Sequence, residues 1–259
     1  MSVAFQANNL TIGYQVRNQQ KTIAGPLNFK INKGELICIM GVNGIGKTTL
    51  LKTIAGLQKP ISGNIIINQN NIHLSTNQER AKLLSIVLTN KPNFNLLTVR
   101  QLVELGRYPH TNWRHILSSK DQLAIDNAIK AVGLENDSEN KIAQLSDGNI
   151  QKAMIARALA QETELILLDE PTIHLDIKNK FIILELLQSL TKNQQKTILF
   201  SGHDLDFIFQ FCDQIMLMTE EKLIIDTPKK HVSTGAISKA FDLDILQKPF
   251  PNYGLIDKK

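Results

Sequence analysis

Residues 35–55 read ELICIMGVNGIGKTTLLKTIA. A short apolar run, Glu35 to Met40, breaks into Gly41-Val42-Asn43-Gly44-Ile45-Gly46-Lys47-Thr48 and passes into the helical-period stretch Lys47 to Ala55. The central octet satisfies GxxxxGK(S/T), and strand, glycine-rich turn and helix in that order are the context the motif needs. Such a turn aims backbone N–H groups at a phosphate held at the positive end of a helix. Side chains at Gly41, Gly44 and Gly46 would block that approach. Lys47 is placed to reach the β- and γ-phosphates of a nucleotide and Thr48 to ligate Mg²⁺, with Asn43 and Thr49 in the same loop. The loop sets the ligand class and leaves the job open.

Around this stretch, short β-type runs alternate with helical-period segments, the pattern of an α/β fold with a largely parallel sheet. Candidate strands are Val3 to Gln6, Leu27 to Ile31, Glu35 to Met40, Asn64 to Asn68, Ser85 to Leu88, Glu164 to Leu168, Thr197 to Ser201, Gln214 to Met218 and Leu223 to Asp226. The first and last of these read as antiparallel additions. Gly13, Gly25-Pro26, Lys33-Gly34, Pro60 to Gly63 and Thr219 to Lys222 read as turns. Between about Asn90 and Gln161 three helical segments follow one another, around Val99 to Gly106, Ser119 to Val132 and Asn149 to Gln161. The expectation is one domain: an α/β core over 1–89 and 162–240, a helical subdomain inserted at 90–161, and an irregular extension at 241–259.

The chain has 259 residues, 42% hydrophobic and 20% charged, enough to bury roughly 70–75% of its unfolded surface without staples. Two cysteines, Cys38 and Cys212, lie in apolar contexts, so neither a disulfide scaffold nor a cysteine metal cluster is expected. No apolar stretch reaches the ~18 residues that cross a bilayer, and the N-terminus lacks signal-peptide character. A cytoplasmic protein is expected. The net charge of +5 is scattered, which gives no basic block for nucleic acid.

A second chemical centre follows at Leu165-Ile166-Leu167-Leu168-Asp169-Glu170. An apolar run ending in two carboxylates reads as a buried strand presenting acids at its C-terminal edge, where ligands bind in open α/β sheets. Asp169 fits a Mg²⁺ ligand, and Glu170 fits the base that polarises an attacking water.

With these two centres, the sequence resembles the nucleotide-binding subunit of an ABC transporter over nearly its whole length. The motifs come in family order: Leu145-Ser146-Asp147-Gly148-Asn149, then Lys152 to Ala160, Asp169-Glu170-Pro171-Thr172, Ile173-His174-Leu175-Asp176, and Ser201-Gly202-His203-Asp204-Leu205. The resemblance implies a P-loop ATPase core with a mostly parallel sheet, an antiparallel β subdomain and an inserted α-helical subdomain. It implies a head-to-tail homodimer binding ATP and Mg²⁺, each ATP lying between one subunit's phosphate loop and the other's Ser146 and Gly148. Glu170, His203 and Lys47 are the implied catalytic residues. Tyr14 would stack on adenine, Asp176 would lie at the dimer seam, and Thr48, Asp169 and Thr89 would attend the metal.

This sequence departs from the family at four positions. Thr89 stands where glutamine is usual, Asp147 where glycine is, Asn149 where glutamine is, and Gly202 where threonine is more usual. Asp147 adds negative charge near an anionic ligand unless it points away or caps the helix. The expectation is an active but slow ATPase.

The stretch Leu97 to Pro109, with Trp113 after it, resembles ATPases serving iron-siderophore, haem and cobalamin importers, where it borders the groove for a permease's coupling helix. The implied partners are integral-membrane permease subunits and, indirectly, a periplasmic or surface substrate-binding protein. The implied place is the inner face of the cell membrane. The competing readings are a soluble ABC ATPase acting on nucleic acid or ribosomes and a degenerate cassette of low activity.

Overall fold

The computed structural model describes residues 2–16, 19–89, 94–111, 114 and 116–242. The chain opens with two long strands, β1 (Val3–Val16) and β2 (Gln19–Asn32), then β3 (Leu36–Met40), which leads through the glycine loop into α1 (Lys47–Ile54). β4 (Ser62–Ile67), a short β5 (Asn70–Asn71), α2 (Asn77–Leu83) and β6 (Leu84–Val87) follow. Among the described residues three helices then succeed one another with no strand between them: α3 (Val99–Glu104), α4 (Ser119–Ala131) and α5 (Asp147–Ala160). The chain returns to alternation with β7 (Leu165–Leu168), α6 (Ile177–Gln194), β8 (Thr197–Ser201), α7 (Leu205–Phe211), β9 (Gln214–Met218) and β10 (Leu223–Asp226), and closes on α8 (Pro228–Ser233) and α9 (Ala236–Ala240).

Two sheets result. One is antiparallel, in the order β2-β1-β4-β5; the other has the order β10-β9-β3-β8-β7-β6. In the second, every neighbouring pair is parallel except β10 with β9. Its central strands are apolar on both faces because both faces are covered. Ile37, Ile39, Leu165, Leu167 and Leu199 point to one side, where they meet Leu50, Leu51 and Ile54 of α1 and Phe5, Leu10 and Ile31 of the antiparallel sheet. Cys38, Met40, Ile166, Leu168 and Phe200 point to the other, against Leu102, Ile125, Met154, Leu187 and Ile208 of the helices. The helix with the glycine loop at its start is thus wedged between the two sheets.

Local chemistry starts the helices where the structure has them. Thr76 with Glu79, Thr98 with Gln101 and Ser118 with Asp121 form reciprocal capping boxes at α2, α3 and α4.

Among the described residues the largest fully buried side chain is Arg107, within the 3₁₀ segment that follows α3. Its guanidinium donates to Asp121 Oδ1 at 2.9 Å, to Glu162 Oε2 at 2.7 Å and to the Ala160 carbonyl. It ties the segment after α3 to α4 and to the end of α5. Within the stretch read as bordering a permease groove, Arg107 therefore faces inward, and Tyr108 and Gln101 are exposed.

Three of the turns read from sequence are corrected. Pro60 to Gly63 is cut short, because β4 already begins at Ser62. Gly13 and Gly25-Pro26 do not end strands; they lie inside β1 and β2, so the first strand is 14 residues long and reaches Val16. Asn9 takes a left-handed φ of 48° and the ladder shifts register between Ala7 and Gly13. That bulging breaks the period-two pattern by which a strand is recognised. Gly13 is there because the partner strand passes too close for a side chain: a Cβ would lie 2.2 Å from the Lys21 carbonyl oxygen. Lys33-Gly34 and Thr219 to Lys222 are turns as expected, the latter closed by Thr219 N–H donating to the Lys222 carbonyl at 2.9 Å. Asn90, Trp113 and all but two residues of the expected 241–259 extension lie outside the described residues.

Candidate nucleotide and catalytic site

Strands β3, β8 and β7 are adjacent and parallel, so their C-terminal ends release three loops side by side. The first loop begins at Gly41, the second at Gly202 and the third at Asp169. Sequence positions more than 150 residues apart are thereby brought to one edge.

The glycine loop ends at Gly46, which caps α1 with φ 111° and has no side chain to occupy the first-turn amides. Those N–H groups and the helix dipole face the loop. A Cβ on Gly46 would fall 2.4 Å from Ile23 Cγ2 of β2, so the antiparallel hairpin packs directly over the loop. Two residues away along β2, Lys21 pairs with Tyr14, an exposed tyrosine whose ring centre lies 5.9 Å from the Lys21 ammonium. The hairpin therefore carries Tyr14 alongside the phosphate loop.

Lys47 is 7% exposed and its Nζ donates to the Gly41 and Val42 carbonyls at 2.9 and 3.2 Å. Burial pushes its pKa down, while the charges of Glu170 and Asp169 and the Cys38 thiol act in the opposite direction. An anion arriving at the loop adds to that opposing effect and favours the ammonium form. Thr48 Oγ1 donates to Asp169, 3.0 and 3.2 Å from its two carboxylate oxygens. A hydroxyl and a carboxylate side by side at a phosphate site are the hard oxygen donors that Mg²⁺ takes together with waters and phosphate oxygens, so the donor set fits that ion.

Asp169 is buried, and Glu170 after it adopts a left-handed φ of 49°. A glutamate held there costs on the order of 1 kcal/mol, so the surroundings must enforce it. Ser201, absent from the expected site residues, is one of the enforcing groups. Its hydroxyl donates to Asp169 Oδ1 and accepts from the Glu170 N–H, both at 2.8 Å. The signal was its place two residues before His203, at the end of a strand beside β7. Thr89 also reaches this corner, its Oγ1 donating to the Asp169 carbonyl at 3.0 Å.

A cleft of about 500 Å³ opens beside this corner, lined by Thr89, Asp147, Gln151, Asp169, Glu170 and His174 among others. Asp147 does not cap α5; Ser146 does, accepting from the Asn149 N–H at 3.3 Å. Asp147 sits in the helix's first turn, exposed, where the dipole favours a carboxylate. Asn149 is turned toward Asp137 at 3.4 Å. Gly148 and Asp176 meet through one side chain: Asp176 caps α6 and bonds Asn179, whose amide would be 2.6 Å from a Cβ on Gly148. Ser146, Gly148 and Asp176 thus form a second group, and the phosphate-loop residues do not line the cleft that Asp147 borders. His203 is exposed just beyond β8. Gly202 before it is closely packed rather than loose: a Cβ there would be 3.2 Å from Cys38 Sγ and from the Phe200 ring.

This arrangement of loop, carboxylates and strand order defines an ATP-hydrolysing cassette. The chain belongs to the ABC transporter family, whose model matches residues 24–173. It is 34% identical over 249 residues to the achromobactin transport ATP-binding protein CbrD of Dickeya dadantii, covering 96% of this chain and 91% of that one. It is 33% identical over 255 residues to the petrobactin import ATP-binding protein FpuD of Bacillus anthracis, covering 98% and 92%. Among solved structures, an inward-facing metal-chelate type ABC transporter matches with a TM-score of 0.80 at 29% identity, over 93% of this chain and 90% of that one. A dimeric ATP-binding cassette in a post-hydrolysis state, bound to ADP and Pi, matches with a TM-score of 0.73 at 28% identity, over 86% and 98%. Among the described residues no helix is long and apolar enough to cross a membrane.

Proposed function

We propose that this chain is the ATPase subunit of an importer for iron-siderophore, haem or cobalamin-type metal chelates, acting as a homodimer on the inner face of the membrane. The observation that carries the reading is the convergence of Lys47 and Thr48 after β3, Asp169 and Glu170 after β7, and Ser201 at the end of β8 between them. The named relatives, transport proteins for achromobactin and petrobactin, and the metal-chelate transporter structure support the substrate class.

In this reading the amides of Gly41 to Thr49 and the Lys47 ammonium hold the phosphates, and Tyr14 holds the adenine face. Thr48 and Asp169 would hold Mg²⁺, whose charge would screen that of the phosphates. The Glu170 carboxylate takes the proton of the attacking water, and His203 contacts the γ-phosphate. Ser146 and Gly148, at the dipole-positive start of α5, complete the partner's site, and Asp176 lies at the seam. Binding closes the dimer and hydrolysis reopens it. The helices within 90–161 form the subdomain that passes the movement to permease subunits. An external substrate-binding protein selects the cargo, which this chain does not touch.

Capture of the protein from solubilised membranes of its own cells tests the transport reading. A multi-span permease subunit in equal amount is the expected co-purifying partner. Recovery only in the soluble fraction, or with ribosomes or DNA, would leave the ATPase and overturn the transporter assignment.

A further inference from the structure

The Asp169 carbonyl and the Glu170 N–H belong to one peptide unit, and each end of it is met by a side-chain hydroxyl. Thr89 Oγ1 donates to the carbonyl at 3.0 Å, and Ser201 Oγ accepts from the N–H at 2.8 Å. Ser201 is fully buried, and its hydroxyl donates a hydrogen bond to Asp169 Oδ1 at 2.8 Å, the carboxylate oxygen that Thr48 also approaches at 3.0 Å. A peptide plane bonded at both ends cannot rotate without losing both bonds. Rotation of this plane would swing Glu170, whose φ of 49° already requires support.

We propose that Thr89 and Ser201 are positioning residues, a two-hydroxyl clamp that fixes the direction of the Glu170 carboxylate. The inference rests on the reading of Glu170 as the base for hydrolysis. It gives Thr89 a task at the catalytic turn rather than at the metal. Register places Ser201 for its part: it stands beside Ile39 of β3, one residue beyond the Phe200 partner of Leu168, on the same face of β8 as Leu199. That face looks toward α1 and Thr48. A donor and an acceptor are needed there together, and a hydroxyl supplies both.

The test compares S201A, T89V, the double variant and the conservative T89S with the wild-type protein. Four quantities are read: kcat, KM for ATP, the Kd for a fluorescent ATP analogue, and the melting temperature. Each single variant is expected to lower kcat about tenfold to a hundredfold, the cost of a buried group left unpaired, with Kd changed less than about threefold. T89S, which keeps the hydroxyl, should hold wild-type kcat. Because both hydroxyls act on one peptide, the double variant should lose less than the product of the single losses. Unchanged kcat in S201A and T89V would overturn the clamp. So would loss of kcat, ATP affinity and melting temperature in proportion, which marks a structural role alone. E170Q in the same assay separates the two readings: full activity there removes the base itself, whereas an inactive E170Q beside a fully active S201A and T89V removes only the clamp.

Discussion

Replacing Glu170 by glutamine is expected to lower ATP turnover about a hundredfold to ten-thousandfold, the range a positioned general base contributes, while nucleotide binding persists. The reasoning is geometric. Glu170 follows the buried Asp169 at the end of β7, its backbone N–H held by Ser201. Glutamine keeps that backbone contact and the side-chain shape and loses only the basic oxygen. Lys47→Ala is expected to fail one step earlier. It removes the ammonium that lies against the Gly41 and Val42 carbonyls, inside the loop that cradles the phosphates. Steady-state phosphate release combined with equilibrium binding of a fluorescent ATP analogue distinguishes the two. Hydrolysis by E170Q at wild-type rate would remove Glu170 from the mechanism.

Replacing Arg107 by methionine should destabilise the protein by about 3–5 kcal/mol, since it leaves the buried Asp121 carboxylate without its cation. The methionine fills much of the space, so the loss measures charge more than cavity. At about 2–4 °C per kcal/mol for a chain of this size, the melting temperature falls by roughly 10 °C. Asp121 adds a pH signature. Its capping bond from the Ser118 hydroxyl, with further help from the Ser118 amide and Arg107, lowers its pKa from the ordinary 3.8 to about 2. A carboxylate depressed on folding stabilises the protein above its unfolded pKa and loses that contribution as pH falls through the folded value. Wild-type stability therefore declines from about pH 4 toward pH 2 through this group, and D121N should lack that part of the decline. Calorimetry of the three proteins at pH 7 and at pH 4 and below reads both effects. A melting temperature unmoved by R107M would contradict the structural role given to this arginine.

The parts of the fold that were legible in the sequence are those written in neighbouring residues. The glycine loop, the apolar run into Asp169-Glu170 and the helical stretch between β6 and β7 all carry their meaning locally. The hairpin β1–β2 was not legible beyond its ends, because Asn9 and Gly13 interrupt the alternation that marks a strand and only the pairing shows why. Arg107 illustrates a second limit. A cation beside an exposed tyrosine reads as surface until α4 supplies Asp121 and the residues after α5 supply Glu162. Ser201 and Thr89 illustrate a third. They are separated from Glu170 by 31 and 81 positions, and only the order β8-β7-β6 brings them to one peptide. Even Gly202, noted in the sequence only as standing where threonine is more usual, proves to be a packing residue against Cys38 and Phe200.

Sedimentation of the purified E170Q protein with and without Mg-ATP bears most directly on the idea of a cassette that switches between open and closed pairs. A monomer without nucleotide that becomes a dimer with ATP, and stays monomeric with ADP, is the predicted result. A protein that binds ATP and remains monomeric would contradict it, and would show that Ser146 and Gly148 do not complete a partner's site.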